Sequence, residues 1–219
     1  MSSSAEMPPG LVLQKSVPPP DWRGRTLRLY RAVAITGLVL SSLPLMYLYS
    51  FLKAIRILSA SRAARLRAAG TSFWMRGILA VMGVRVSIRG KVPAGGVLLV
   101  PNHQSYMDIF VLLSCMPAIF VANSGVRRWP GFGHLTAHLG TLYIDRTKRR
   151  MMKRVLPLIE KHLRWGMKVA VFLETTTSDG SRVLPFRAGL LEAAIQMAVP
   201  CMPIAIRYTA PRDSVATSA

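Results

Sequence analysis

The chain has 219 residues and a formal net charge of +20, from 29 basic and 9 acidic residues. Its 51% hydrophobic content allows a buried core, and its length suits one domain with an accessory segment. So large a positive charge indicates an anionic partner, such as nucleic acid, an acidic membrane surface or a phosphorylated compound, rather than a merely solubilising surface. Because no basic-aromatic platform or known nucleic-acid module is present, we expect no nucleic acid partner and favour an anionic membrane surface.

The first 22 residues are rich in Ser and Pro and are predicted to form a disordered tail. They delay the first apolar run too long for an ordinary secretory signal. The two cysteines, Cys115 and Cys201, lie in apolar stretches without metal-ligand spacing. We therefore expect reduced thiols in the core and a reducing compartment.

Residues 32–52 form a run of 21 residues without a charge, which is long enough to cross a bilayer. Five Lys or Arg residues lie within 20 residues on each side, so the positive-inside rule gives no orientation. Pro44 lies mid-run, where it favours a kink. These features favour a monotopic or re-entrant anchor over a full span, with a buried helix of a soluble protein as the third alternative. Residues 23–83 are predicted to be membrane-associated helices.

From residue 84 onward, apolar strand patterns alternate with helical patterns. This alternation predicts an α/β domain over residues 84–219, with a mostly central sheet flanked by helices. Pro157 is expected to kink or split one of these helices. Strands are predicted at residues 84–90, 96–100, 118–122, 141–145, 168–174 and 202–208, and helices at 108–114, around 134–138, at 147–165 and at 187–197.

The apolar strand GVLLV runs directly into PNHQSYMD, which holds a histidine and an aspartate. His103 follows the strand, and Asp108 falls in the first turn of the next predicted helix, for which Ser105 is a candidate N-cap. Loops that leave the carboxyl ends of strands are common positions for sites in α/β sheets. A carboxylate that orients the imidazole would make His103 a general base. No Ser or Cys is placed as a nucleophile, so this base would deprotonate a substrate hydroxyl. The alternative is a surface histidine with an incidental aspartate.

Four blocks along the chain resemble the motifs of the glycerolipid acyltransferase family, whose best-known members are the lysophosphatidate acyltransferases. The segment NHQSYMD, residues 102–108, matches the N-H-x-x-x-x-D signature of that family. GTLYIDR at residues 140–146 resembles its second block, FLETT at 172–176 its third, usually F-P-E-G-T, and VPCMPI at 199–204 its fourth. The resemblance covers residues 84–208.

The resemblance implies a membrane-bound O-acyltransferase of phospholipid biosynthesis. In that family's reaction, His103 would take the proton from a lysolipid hydroxyl, and Asp108 would orient the histidine. The alkoxide would attack the thioester of acyl-CoA or acyl carrier protein directly. No metal and no cofactor beyond this acyl donor is expected. The family implies a bacterial inner membrane, with the catalytic domain on the cytoplasmic side.

The resemblance also implies substrate-binding residues within these blocks. Arg146 would hold the phosphate or other anionic headgroup of the acceptor, as its planar guanidinium suits. Glu174 would shape the acceptor site and organise its loop. Asn102, Thr175 and Thr176 complete the predicted substrate-binding set.

The third block departs from the family pattern at two positions, Leu173 for Pro and Thr175 for Gly. A β-branched residue resists the positive φ that glycine allows, so weakened or lost activity is one hypothesis. Downstream, TSDG and VLPFR resemble a bacterial subgroup that acylates lyso-ornithine lipid, lysophosphatidate or both. The expected function is therefore a 1-acyl-sn-glycerol-3-phosphate O-acyltransferase. A lyso-ornithine lipid O-acyltransferase and a lipid-binding pseudoenzyme of the same fold are the alternatives.

Overall fold

The computed structural model describes residues 11–16, 24–129, 132–145, 149–174, 176–182, 184–186 and 188–209. The helices are α1 (Gly24–Ala54), α2 (Ala60–Val81), α3 (Met107–Cys115), α4 (Phe132–His138), α5 (Arg149–Arg164) and α6 (Glu192–Gln196), with 3-10 turns at Ser124–Arg128 and Ala188–Leu190. The strands are β1 (Leu11–Ser16), β2 (Arg85–Arg89), β3 (Val97–Pro101), β4 (Ala118–Asn123), β5 (Leu142–Ile144), β6 (Lys168–Val171) and β7 (Cys201–Thr209).

Within these residues, seven strands form one sheet in the order β2-β1-β7-β3-β6-β4-β5. All neighbours along this order are parallel except β2, which pairs antiparallel with β1. Strand β3 lies between β7 and β6, and every one of its residues is buried. Continuous burial is what a parallel strand covered on both faces requires. The prediction of a central sheet flanked by helices is confirmed.

Alternate residues of β3 enter two separate cores, as the two-residue period of a strand dictates. Val97 and Leu99 pack on one face with residues of α2 and α3. Leu98 and Val100 pack on the other face with residues of α5. Since helices cover both faces of the sheet, a site is expected where the strands end.

Strand β1 corrects the expectation of a disordered tail over the first 22 residues. Leu11–Ser16 is parallel to β7, with Leu11 beside Ile204, and antiparallel to β2. Pairing on both sides satisfies backbone groups that would otherwise leave an open edge on β7. The local composition hides this strand because proline-rich stretches flank it and its partners are distant in sequence. Residues 1–10 and 17–23 lie outside the described part of the chain.

Two helices differ from their predicted form. The helix α5 continues through Pro157 as one element, so the expected split is wrong, while the alternative of a kink stays a prediction. Its buried residues Val155, Ile159 and Leu163 hold it against the sheet, and this packing offsets the hydrogen bond that proline removes. The helix predicted at residues 187–197 is instead a 3-10 turn followed by the short α6.

The N-terminal helix α1 is a single element that contains Pro44 and is long and apolar enough to cross a membrane, by length and composition alone. Most of it is exposed, so it is not the buried helix of a soluble core. One side contacts α2, where the indole of Trp74 donates to Ser41 Oγ at 3.2 Å. Large apolar side chains on the rest of the helix face outward, namely Leu27, Leu29, Tyr30, Val33, Leu40, Tyr47, Leu48 and Phe51.

Candidate active site

Three parallel neighbours in the sheet, β7, β3 and β6, end at the same edge and deliver the candidate residues. His103 follows β3, Glu174 follows β6, and Tyr208 lies near the end of β7. Because the carboxyl ends of parallel strands meet, residues far apart in sequence become neighbours there. This edge is the position that the sequence predicts for the His-Asp pair.

The geometry joins His103 to Asp108 in the predicted manner. Nδ1 of His103 lies 2.9 Å from Oδ2 of Asp108, whose side chain is fully buried. Since a carboxylate only accepts, Nδ1 carries the proton and Nε2 is left as the basic nitrogen. Nε2 has no hydrogen-bond partner among the described residues, and the histidine lines a cavity. The pair therefore has the form of a general base with its orienting group.

Asp108 is fixed by three donors besides the histidine. Its Oδ2 accepts from the backbone amides of Gln104 at 2.7 Å and Ser105 at 2.8 Å. Its Oδ1 accepts a short hydrogen bond from the hydroxyl of Tyr208. Burial, together with the hydrogen bond to Asp108 and the negative charge of Asp108, raises the pKa of Tyr208. The phenol therefore stays protonated and remains a donor to the carboxylate.

The start of α3 brings Asp108 back toward the histidine. The N-cap position belongs to Tyr106, one residue later than the predicted Ser105. The hydroxyl of Ser105 still accepts from the amide of Met107 at 3.2 Å. The amide of Asp108 also bonds to the carbonyl of Ser105 at 3.0 Å. This turn directs the carboxylate to the amides that precede it.

The ring and backbone of His103 are held by residues from the β6 loop. Phe172 stacks on the imidazole, with centroids 3.9 Å apart and planes 18° apart. The amide of His103 donates to Oε1 of Glu174 at 2.9 Å, and its carbonyl accepts from the amide of Ser178 at 2.8 Å. The other oxygen of Glu174 accepts from the amide of Leu184 at 2.9 Å. Glu174, 3% exposed, thus ties the catalytic turn to its own loop.

Asn102 ties the same turn to β7. Its Oδ1 accepts from the amide of Ile206 at 2.7 Å, and its Nδ2 donates to the carbonyl of Ile206 at 3.1 Å. Gln104 donates to that same carbonyl at 3.0 Å. These bonds give Asn102 a positioning role, while its predicted contact with substrate stays a prediction.

A cavity of about 330 Å³ opens beside the histidine. Its walls come from α3, β4 and the 3-10 turn that follows β4, and from the β6 loop. Lining residues include His103, Tyr106, Phe120, Trp129 and Thr176. This mixture of aromatic and small polar side chains suits an amphiphilic substrate.

The predicted substrate-binding residues divide into three groups. Thr176 lines the cavity, and Glu174 and Asn102 support the turn that carries the histidine. Arg146 and Thr175 lie outside the described residues, so their predicted roles stay predictions. Leu173, where the family has proline, is 1% exposed and packs in the core with α5.

The sequence did not predict two residues that contact the pair. Tyr208 donates to Asp108, and Phe172 stacks on His103. In the sequence, the position of Tyr208 at the end of a predicted strand is only weak evidence for a role in the site. Only the sheet order, which places β7 beside β3, makes that signal meaningful.

Neither cysteine approaches the pair as a nucleophile. Cys115 is half-buried, and Cys201 is exposed, which corrects the expectation that both lie in the core. Burial raises the pKa of both thiols, which disfavours a reactive thiolate. His134 and His138 lie on α4 with ring centroids 4.7 Å apart, and the described residues hold no group of three or more metal-ligating side chains. That the site needs no metal stays a prediction.

A buried His-Asp pair at the carboxyl edge of a parallel sheet, beside an amphiphilic cavity, defines the class of an acyltransferase-type site. Residues 83–207 match the family model described as Acyltransferase, and the chain belongs to this family. The resemblance read from the four sequence blocks is thereby confirmed.

Two kinds of relative are similar to this chain. The 1-acyl-sn-glycerol-3-phosphate acyltransferase of Neisseria meningitidis serogroup B is 33% identical over 135 residues, which cover 61% of this chain and 53% of that protein. The lyso-ornithine lipid O-acyltransferase of Brucella abortus is 37% identical over 193 residues, covering 84% of this chain and 68% of that protein. The chain spans about half the length of the Neisseria relative.

One solved structure shares the fold. It is the 1-acyl-sn-glycerophosphate acyltransferase PlsC from Thermotoga maritima, with a TM-score of 0.57 and 19% identity over 86% of this chain and 83% of that one. At this identity the likeness concerns the fold alone. It extends beyond the matched family region to the N-terminal part of the chain.

Proposed function

We propose that this chain is a membrane-bound O-acyltransferase that moves a fatty acyl group from a thioester to the hydroxyl of a lysolipid. The single observation that carries the proposal is the hydrogen bond between Nδ1 of His103 and the buried Asp108, in a histidine that lines a cavity. Among the described residues, no Ser, Thr or Cys side chain hydrogen-bonds to the His103 ring, which suits direct transfer to a substrate hydroxyl.

In the proposed step, Nε2 of His103 takes the proton as the O–H bond of the lysolipid breaks. The oxygen forms a bond to the thioester carbonyl carbon, and the C–S bond then breaks. The leaving thiolate recovers the proton from the imidazolium, so the base is regenerated without an acyl-enzyme. Asp108 stabilises the imidazolium and keeps Nδ1 as the protonated nitrogen.

The first candidate acceptor is 1-acyl-sn-glycerol-3-phosphate, with phosphatidic acid as the product. The Neisseria relative carries that activity in its name. Arg146 is the proposed partner of the phosphate, since a guanidinium can bind phosphate oxygens in pairs. Asn102, Glu174, Thr175 and Thr176 are proposed to complete the acceptor site.

The second candidate acceptor is lyso-ornithine lipid, in which the phosphate is absent. It is favoured by the Brucella relative, which is similar over 84% of this chain, far more than the Neisseria relative. Both acceptors offer a hydroxyl to the same base, so the chemistry is common to the two candidates.

The acyl donor is proposed to be acyl-CoA or acyl carrier protein. Both are acidic partners, which the net charge of +20 favours. The exposed apolar side of α1 is proposed to bind the membrane, which gives the site access to lipids. A bacterial inner membrane, with the catalytic domain on the cytoplasmic side, is the proposed location.

The test is a transfer assay on membranes that contain the full chain, with lysophosphatidate and lyso-ornithine lipid as alternative acceptors. We expect labelled product from at least one acceptor, and product only at background level from a His103→Ala variant of equal abundance. If neither acceptor is acylated above the variant's level, the proposed acyl transfer fails for these two acceptors. Binding of lysolipid without transfer would identify that pseudoenzyme.

A further inference from the structure

A second cavity lies away from the catalytic pair, between α1, α2 and α4. Its volume is about 230 Å³, and its lining is almost entirely apolar. Side chains that line it include Val39, Leu52, Trp74, Ile78, Leu135 and Leu139. The catalytic cavity shares no lining residue with it. The helix α4 separates the two, because Thr136 lines the catalytic cavity while its neighbour Leu135 lines the apolar one.

Among the described residues that line this mostly apolar cavity, Arg67 is the one permanent cation. Its Nε is buried and has no hydrogen-bond partner among the described residues. Its guanidinium lies over the ring of Tyr49, with Cζ 5.7 Å from the centroid. Gly140, at φ +84°, also faces this group, and a Cβ there would lie 2.5 Å from Cζ of Arg67. The fold thus encloses the guanidinium on several sides.

No acidic side chain in the described part of the chain forms an ion pair with Arg67. Burial is the main cause that lowers the pKa of His162, and the positive charge of Arg67 lowers it further. A partly buried guanidinium without a counter-ion among the described residues is unfavourable, and an anion on its more accessible N–H groups would stabilise it. The observation therefore points to an anion.

A wider cavity of about 500 Å³ adjoins the apolar one and shares Tyr49 and Arg67 with it. Ser50 and His138 contribute polar groups to this opening. Arg67 therefore lies at a boundary, with an apolar pocket on one side and a more polar opening on the other. Such a boundary matches a molecule with a hydrocarbon chain and an anionic end.

We propose that this pocket binds a long-chain fatty acid anion, with its carboxylate on Arg67 and its chain among α1, α2 and α4. A single guanidinium matches the single negative charge of a carboxylate and can bind its two oxygens together. A phosphate monoester would bring about two charges to one cation. The site is independent of the catalytic pair, so it does not rest on the proposed acyl transfer.

Trp74 lines the pocket and provides an optical reporter. The experiment places the full chain in phosphatidylcholine nanodiscs and adds dibrominated stearate, whose bromines quench tryptophan on contact. Its methyl ester, which has the same chain without the charge, is the matched ligand control. Subtracting the signal of a Trp74→Phe variant isolates the quenching of this one residue.

We expect saturable quenching of Trp74 by the acid, reversed by unbrominated stearate, and only weak unsaturable quenching by the ester. Arg67→Met, which removes the charge and keeps an apolar side chain, should weaken acid binding by about tenfold or more. Arg62→Met, an exposed change on the same helix away from both cavities, should leave binding unchanged. A melting curve checks that each variant is folded.

Equal quenching by acid and ester, or undiminished acid binding in a folded Arg67→Met variant, would overturn the proposal. Displacement of the brominated acid by lysophosphatidate at lower concentration than by stearate would also overturn it, because the pocket would then prefer a phosphate headgroup. None of these readings requires acyl transfer, so the result is separate from that of the transfer assay.

Discussion

The two ends of this fold hold their polar groups in opposite ways. At the carboxyl edge of the sheet, Asp108 receives donors from His103, Gln104, Ser105 and Tyr208 while fully buried. In the N-terminal helices, the buried Nε of Arg67 has no partner among the described residues, and large apolar side chains of α1 are exposed.

At the catalytic edge, the buried carboxylate finds its hydrogen-bond partners within the protein. At the N-terminal helices, the exposed apolar side chains and the Arg67 guanidinium would be stabilised by binding partners outside it. A fully bonded carboxylate keeps one geometry before substrate arrives, which is what a general base requires. The exposed apolar side of α1, near a cation without an ion pair among the described residues, is a surface that an apolar and anionic environment would stabilise, as the proposed membrane binding requires. If this contrast holds, the catalytic edge depends on its internal hydrogen bonds, and removal of those bonds should lower activity or stability in proportion to their number.

The largest effect is expected for Asp108→Ala, which removes the centre of the catalytic network. Loss of the orienting carboxylate should lower kcat by about 100- to 10,000-fold, since Nδ1 loses its acceptor and the imidazolium loses its counter-charge. Initial rates of acyl transfer measure this effect. Glu192→Ala, which removes an exposed acid on α6, is the control. A rate for Asp108→Ala within about twofold of wild type would contradict the role of the His103–Asp108 pair as the general base.

A smaller effect, on stability, is expected for Glu174→Ala. The change leaves the amides of His103 and Leu184 without their acceptors in a buried region. Each unsatisfied amide costs about 1–3 kcal/mol, so the loss of both should lower the free energy of unfolding by about 2–6 kcal/mol in denaturant titrations. Glu174→Gln, which keeps one acceptor oxygen, should lose less. An equal loss from both variants would contradict this bridging role.

Tyr208→Phe should lower the rate of transfer while the chain stays folded. The change removes the phenol from which Oδ1 of Asp108 accepts a hydrogen bond. The carboxylate is then held less firmly against His103, so kcat should fall by about tenfold while KM changes little. Tyr30→Phe, on the exposed side of α1, is the matched control. An unchanged kcat in a folded Tyr208→Phe variant would contradict a role for Tyr208 in positioning Asp108.

The smallest effect is expected from His162, a buried residue of α5 that lines neither the catalytic cavity nor the apolar one. Burial lowers its pKa below the ordinary value of 6.5, so the folded state disfavours its charged form. Its contribution to stability is complete above about pH 6.5 and is lost as the pH falls toward the lowered pKa, since the unfolded chain takes up the proton first. In thermal melts, the melting temperature of His162→Gln should fall less than that of the wild type as the pH is lowered through this range. An identical pH dependence in the variant would contradict the assignment.

Much of the catalytic edge could be predicted from local sequence. The apolar strand before His103 and the helix start at Asp108 are short-range features, and the structure places them as expected. The family blocks also predict that Glu174 belongs to the site, and its carboxylate does contact the turn of His103.

The missed features depend on contacts between distant segments. Strand β1 is stabilised by pairing with β7, almost 200 residues away, and six residues in a proline-rich tail give no local sign of it. Tyr208 reaches Asp108 only because β7 lies beside β3. Pro157 predicts a break that packing against the sheet overrides. In each case tertiary contacts, which one sequence does not reveal, decide the outcome.

The central claim is that His103 acts as a base in direct transfer. It is tested most directly by following a radiolabelled acyl thioester with the full chain in membranes, first without and then with lysolipid acceptor. We predict no label bound to the protein at any time, and label on the lipid only when acceptor and an intact His103 are both present. A stable acyl-protein bond, or full transfer by His103→Gln, would contradict the account.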